Sequence, residues 1–239
     1  MGDEQQAQAA PSVRYRLRFE KRGALKFISH HDLMRTFELA LRRAGIDVAY
    51  SRGFNPRPKL SFAMALPLGV ESHDEIVDID LASPLPPTTL IEKLQAQMPA
   101  GITLREGWPA RGRPRVTACD FEVELELDDA TLAAFAARLA EFLAGGAAMH
   151  TRGKGPGKRA RVLDARAHTL EAKLDASRLA VRIAFGPQGG MKATDLLEVL
   201  GLDPLAHKVV KTKTHFEEDA AQRGDEQQAQ GAERTEQHE

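Results

Sequence analysis

The 239-residue chain is short of three things: cysteine, of which it has one, aromatic residues, which make up 5%, and net charge, which is −1. A lone Cys119 excludes an internal disulfide and the three- or four-cysteine sets that hold iron–sulfur clusters or structural zinc. A cytoplasmic, reducing setting fits, no cofactor and no catalytic residue is assigned, and no metal is expected because the histidines are scattered with no third ligand at recognisable spacing. No apolar run approaches the roughly 18 residues of a membrane span. The opening MGDEQQAQAAPS has neither the basic nor the apolar region of an export signal, so neither a membrane partner nor export is expected.

The missing net charge is a matter of distribution. Residues 217–239 hold eight acids against two bases, with no apolar side chain larger than alanine, and residues 1–11 are equally polar. Such composition cannot offset the entropy of ordering, so both ends are expected to be disordered polar tails. The string GDEQQAQ occurs in each. Residues 12–216 keep 31 of the 33 bases but only 24 of the 34 acids. The bases concentrate at 13–60, an acidic run (Glu71, Asp74, Glu75, Asp78, Asp80) follows, and a second basic cluster sits at Arg152, Lys154, Lys158, Arg159 and Arg161. Two basic patches on a dipolar body point to a polyanionic partner.

Hydrophobic periodicity supplies the fold class. VRYRLRF at 13–19 alternates as a strand that buries Val13, Tyr15, Leu17 and Phe19 and turns three arginines to solvent. Ser29 caps a helix with Asp32 at its third position, and Gly45 ends it. IDVAY at 46–50 predicts a strand, SRGFNPRPK at 51–59 a loop, 60–66 and 75–81 strands, 88–98 a helix and 102–106 a strand. GWPARGRPRVT at 107–117 predicts a linker, after which the order repeats: strand 121–127, helix 129–143, strands near 160–166, 168–174 and 177–185, a helix from Ala193 to Leu200, and strand 209–216. The expected class is α+β, two consecutive ferredoxin-like βαββαβ modules over 12–106 and 118–216.

The densest chemistry is KFISHHDLMRTFELALRRAGIDVAYSRGFNPRPKLS. Arg35, Arg42 and Arg43 leave the apolar helix face, Lys26 stands just before the helix, and the loop adds Arg52, Phe54, Asn55, Arg57 and Lys59 within eight residues stiffened by prolines. Guanidinium forks suit phosphate oxygens and an aromatic among them stacks a base, so these nine residues form a candidate grip on looped or single-stranded RNA. The competing reading packs Phe54 inward and leaves the arginines as a solvated face. Ser29, His30, Asp32, Gly53 and Pro56 complete the motif. His30 as a general base would make a metal-independent ribonuclease, but a helix N-terminus disfavours a protonated imidazole. RGKGPGKRAR at 152–161 lacks the phosphate-loop pattern, and the Gly186, Gly189, Gly190 turn beside Lys192 is either an anion-binding turn or an ordinary connection.

The long motif from Lys26 onward, with GLDPLAHKVVKTKT near the end, resembles the uncharacterised bacterial radical-SAM-linked domain family, over roughly residues 12–216. In that family the domain is fused behind, or encoded beside, a B12-binding radical SAM module. The resemblance implies a separately encoded radical SAM protein as partner, because this chain has no cluster-binding cysteine motif of its own. His31 departs from the leucine expected in the family's version of SHHD. The combined expectation is a non-catalytic RNA-binding accessory protein; the alternatives are the ribonuclease and an interaction scaffold without nucleic acid.

Overall fold

The computed structural model describes residues 12–52, 54–153, 160–186 and 189–217. The tails expected over 1–11 and beyond Glu217 lie outside the described residues, as do Gly53, Lys154, Lys158 and Arg159. The architecture is mixed α+β. The first half runs Val13–Lys21 (β1), His30–Arg43 (α1), Leu60–Phe62 (β2), Glu71–Leu81 (β3), Pro87–Gln95 (α2) and Ile102–Pro109 (β4). The second runs Arg115–Glu124 (β5), Asp129–Ala144 (α3), Met149–Arg152 (β6), Arg161–Asp164 (β7), Ala165–His168 (α4), Thr169–Asp175 (β8), Arg178–Gly186 (β9), Gly189–Gly190 (β10), Ala193–Val199 (α5) and Lys208–Glu217 (β11).

Among the described residues nine strands share one sheet, ordered β10-β9-β5-β11-β3-β1-β4, with β2 added to β3 and β8 to β9; β6 and β7 pair apart as a hairpin. β11 is the joint between the halves: it lies antiparallel to β5 and parallel to β3, at Val210 beside Glu71 and Lys211 beside Ser72. Helices cover one face. Leu33, Phe37, Ala40 and Leu41 of α1 recur at helical spacing and are buried with Leu17, Phe19 and Val77. Phe37 meets Phe19 edge-on at 5.1 Å and Phe62 at 5.3 Å. Ser29 has extended backbone and its hydroxyl accepts the Asp32 N–H at 3.1 Å, which starts the helix. Gly45, at φ +62, stops it in a conformation that a Cβ disfavours.

Three expectations change. IDVAY is not a strand: it contributes only the bridges Val48–Leu81 and Tyr50–Pro58, because the chain leaves the β3 edge after Ala49 and returns at Lys59. Of the stretch expected to be a linker, Gly107–Pro109 complete β4 and Arg115–Thr117 begin β5. The third change is the largest. Arg14, Arg16 and Arg18 do not face solvent, because the acidic run of β3 lies directly across from them.

Arg16 holds Asp78 through two parallel bonds of 2.7 and 3.0 Å, with both side chains buried. Arg14 holds Asp80 in the same forked way at 2.7 and 3.2 Å. Arg18 reaches Asp74 at 2.6 Å and Glu106 of β4 at 2.8 Å. Phe216 of β11 lies 5.5 Å from the Arg16 guanidinium and 5.3 Å from that of Arg18, roofing the ladder. The alternation that signals a half-exposed strand is thus satisfied by ion pairs in place of water.

On the helix side, Lys211 meets Glu75 at 2.6 Å with neither side chain more than 3% exposed. Lys21 is buried nearby, and burial lowers its pKa although Glu75 opposes the shift. Cys119 lies under the same junction, its thiol pushed up to about 12 chiefly by burial.

Removing one member of the central pair leaves an uncompensated buried charge. Asp78→Ala should cost about 3–5 kcal/mol in urea unfolding, and the double change Arg16→Met with Asp78→Leu should recover most of it; equal losses in the single and double variants would contradict the pairing. Cys119 should resist alkylation in the native protein at pH 8 and react fully in denaturant, as followed by intact mass.

Candidate nucleic-acid interface

Between Val48 and Leu60 the chain makes an excursion from the edge of β3, pinned at its base by four backbone hydrogen bonds. Ala49 N–H donates to Asp80 at 2.8 Å, Lys59 N–H to Ala49 at 2.7 Å, Asp80 N–H to Lys59 at 3.0 Å and Ser51 N–H to Arg57 at 2.8 Å. The Ser51 hydroxyl accepts the Arg57 N–H at 3.0 Å, and Pro58 pairs with Tyr50 across the base. Such a base holds a tip that contributes nothing to the core. At that tip Phe54 is fully exposed, with Arg52, Asn55, Pro56 and Arg57 also exposed around it. The inward packing of Phe54 is excluded. Gly53 lies outside the described residues.

The other candidate residues divide along α1. Arg42 and Arg43 are exposed at its C-terminal end, where cations complement the helix dipole, and the chain passes from them through Gly45 into the excursion. Lys59 is half-buried at the base of the loop. Arg35 is exposed further up the helix, and Lys26 lies before its N-terminus, where its ammonium sits 5.2 Å from the Phe27 ring. Among the described residues Arg35, Arg42, Arg43, Arg57 and Lys59 form no ion pair. Arg14, Arg16 and Arg18, by contrast, are each held against an acid of the ladder.

The SHHD motif serves the helix. The Ser29 hydroxyl donates to Asp32 Oδ2 at 2.7 Å and accepts the Asp32 N–H as the helix cap; the hydroxyl's bond first, then one from the Ser29 backbone, holds the Asp32 carboxyl below its ordinary pKa. His30 packs edge-on against Phe62 at 5.4 Å, and burial, then the neighbouring His31, lowers its pKa.

Sequence reasoning missed a groove on the helix-free face. A cavity of about 730 Å³ opens between Trp108 and Phe216, with the Arg18 guanidinium 5.9 Å from the indole, and Lys213 and His215 on its wall. His215 Nε2 lies 2.9 Å from Asp120, which also takes Arg182 at 2.7 Å. Arg18 and His215 are held against acids there, which leaves Lys213 as the groove's cation without an acid partner among the described residues, fewer than the loop and the helix end offer a polyanion. Trp108 fell in the expected linker, and the only signal was the one tryptophan of the chain. A cluster of His150, Asp195 and Glu198 brings ligand-type atoms within 4.8 Å. Arg152 is ion-paired to Asp195, and the Lys192 N–H donates to the same carboxylate oxygen, so a guanidinium already supplies the positive charge a metal ion would bring. No described helix is long and apolar enough to cross a membrane.

Among the solved structures that resemble the chain are two of low identity. A chain of a Cbf5–Nop10–Gar1 complex is 11% identical with a TM-score of 0.42; the match covers 86% of this chain and 50% of that one, so this protein spans about half of its length. An unknown protein from Galdieria sulphuraria is 14% identical with a TM-score of 0.26, over 88% of this chain and 100% of that one. No curated protein matches the sequence. A family model does match, over residues 14–194, which takes in the arginine ladder, the capped helix, the exposed loop and the Gly189–Gly190 turn, and the chain accordingly belongs to the family described as "Uncharacterized protein conserved in bacteria (DUF2344)".

Proposed function

We propose that the protein is a non-catalytic RNA-binding accessory protein, built as two ferredoxin-like modules, that serves a separately encoded radical SAM enzyme. The observation that carries the RNA reading is the fully exposed Phe54 at the tip of a loop whose base is pinned to β3. An apolar ring held in water gains nothing from the core, because it is as exposed in the folded chain as in the unfolded one. It gains where a base stacks on it, with Arg57, Arg42 and Arg43 placed to take backbone phosphates. Ser29 and Asp32 are engaged in capping and His30 against Phe62, which supports a binding role over a hydrolytic one. The modular reading is supported by the pairings β4-β1-β3-β2 and β8-β9-β5-β11, each the antiparallel order of a βαββαβ unit. The radical SAM partner rests on the sequence resemblance.

Fluorescence anisotropy with a labelled single-stranded 12-mer RNA tests the binding. Phe54→Ala should weaken it by the roughly 1–3 kcal/mol of one stacked base. Arg42→Ala with Arg57→Ala should lower the salt dependence by about 1.4 in log Kd per log salt, about 0.7 for each phosphate no longer neutralised. Wild-type affinity and salt slope in all these variants would overturn the reading. For the partner, the tagged chain should co-purify from its host with an enzyme carrying an oxygen-sensitive iron–sulfur chromophore; its consistent absence under anaerobic conditions would remove that half.

A further inference from the structure

The β6–β7 hairpin places Arg152 and Arg161 directly opposite each other. Like charges facing across an antiparallel pair repel and weaken it, so the arrangement needs an anion nearby. Arg152 has one: its guanidinium is ion-paired to Asp195 and also donates to the Gly190 carbonyl at 3.2 Å. Arg161 has none among the described residues, although it is half-buried. Arg152 Nε is itself buried without a hydrogen-bond partner.

Both arginines line a cavity of about 400 Å³ that also takes in Lys192 and Arg115. The acids that oppose these cations are Asp195 at Arg152 and Glu217 at Arg115, which leaves Arg161 and Lys192 unmatched. On its other oxygen Asp195 faces His150 at 3.7 Å, and His150 in turn lies 3.8 Å from Glu198, which pairs with none of the cavity's cations. One wall is backbone: Gly189 sits at φ +86, where a Cβ would stand 3.3 Å from Arg161 Nη1, so glycine keeps the guanidinium against the turn. The remaining wall is apolar, from Phe185 and Met64. A cavity of this size suits a small molecule, and its two halves, excess positive charge beside an aromatic ring, match the two halves of a nucleotide.

We infer that this cavity binds the phosphoryl group of a nucleotide on Arg161 and Lys192, with the base or sugar against Phe185 and Met64. The shared chemistry is a phosphate beside a heterocycle, and its source is either a free nucleotide or an RNA strand. The inference does not depend on the loop at Phe54.

Calorimetry at low salt with adenosine 5′-monophosphate, with adenosine as control, reads the free source; anisotropy with the 12-mer RNA reads the other. In the first case the wild type binds the monophosphate and not adenosine, and Arg161→Ala weakens it about tenfold or more, the range for losing one hydrogen bond to a charged group. In the second the monophosphate does not bind, and Arg161→Ala weakens RNA by a similar factor. In either case the ligand-free melting temperature of Arg161→Ala should stay level or rise, because the substitution removes a repulsion. Lys192→Ala, at an exposed side chain, should weaken the same ligand and guards against a folding defect. Phe54→Ala should leave monophosphate binding unchanged, so failure here and failure of the loop reading are separable. Unchanged affinity of Arg161→Ala and Lys192→Ala for both probes would overturn the inference.

Discussion

The opposition of β1 and β3 is the contact on which the rest of this molecule depends. Three arginines meet the acids of β3, and that run also sends consecutive side chains to opposite faces. Asp74 takes Arg18 and the Thr214 N–H on the open face, while Glu75 takes Lys211 on the helix face. β11, which belongs to the second half of the chain, is thereby fastened to the first from both sides. Apolar packing alone would hold each half together without setting how they meet. Paired buried charges add little net stability, but they penalise any other alignment severely, because a one-residue slip would strand several charges away from water.

The same pairing explains how the surface comes to be divided. A simple count of bases over 13–60 suggests one continuous positive face. The ladder removes Arg14, Arg16 and Arg18 from it, Glu20 holds Arg22, and Lys21 turns into the core. Among the described residues of 13–60 the cations left without an acid partner are Arg42 and Arg43 at the C-terminal end of α1, Arg57 and Lys59 on the loop that leaves β3, Arg35 farther up the helix and Lys26 before it. Far along the chain, a second group of cations lines the cavity beside the β6–β7 hairpin. The two basic regions differ in kind: one is a projecting loop with an exposed ring, the other a recess with a glycine wall.

Local signals made several parts of this arrangement legible. Ser29, Asp32 and Gly45 bound α1 because capping and left-handed termination depend on residues only a few positions apart. The prolines and asparagine of 51–59 announced a loop for the same reason. IDVAY failed as a strand although its composition is β-prone, since a strand needs an uninterrupted partner and the excursion at Ser51 breaks the pairing. Trp108 escaped notice because its neighbours Gly107 and Pro109 are turn-forming residues that β4 nevertheless accommodates against β1.

The α+β class, the capped helix, the two basic clusters and the residues of the exposed loop all follow from neighbours along the chain. Which cations are open to a ligand follows from contacts between residues far apart in it. Arg16 and Arg57 are indistinguishable as residues, yet one is buried against Asp78, 62 positions away, and the other stands in water. Charge compensation acts through space over a few ångströms, so whether an arginine is available to a polyanion depends on which strand folds across from it.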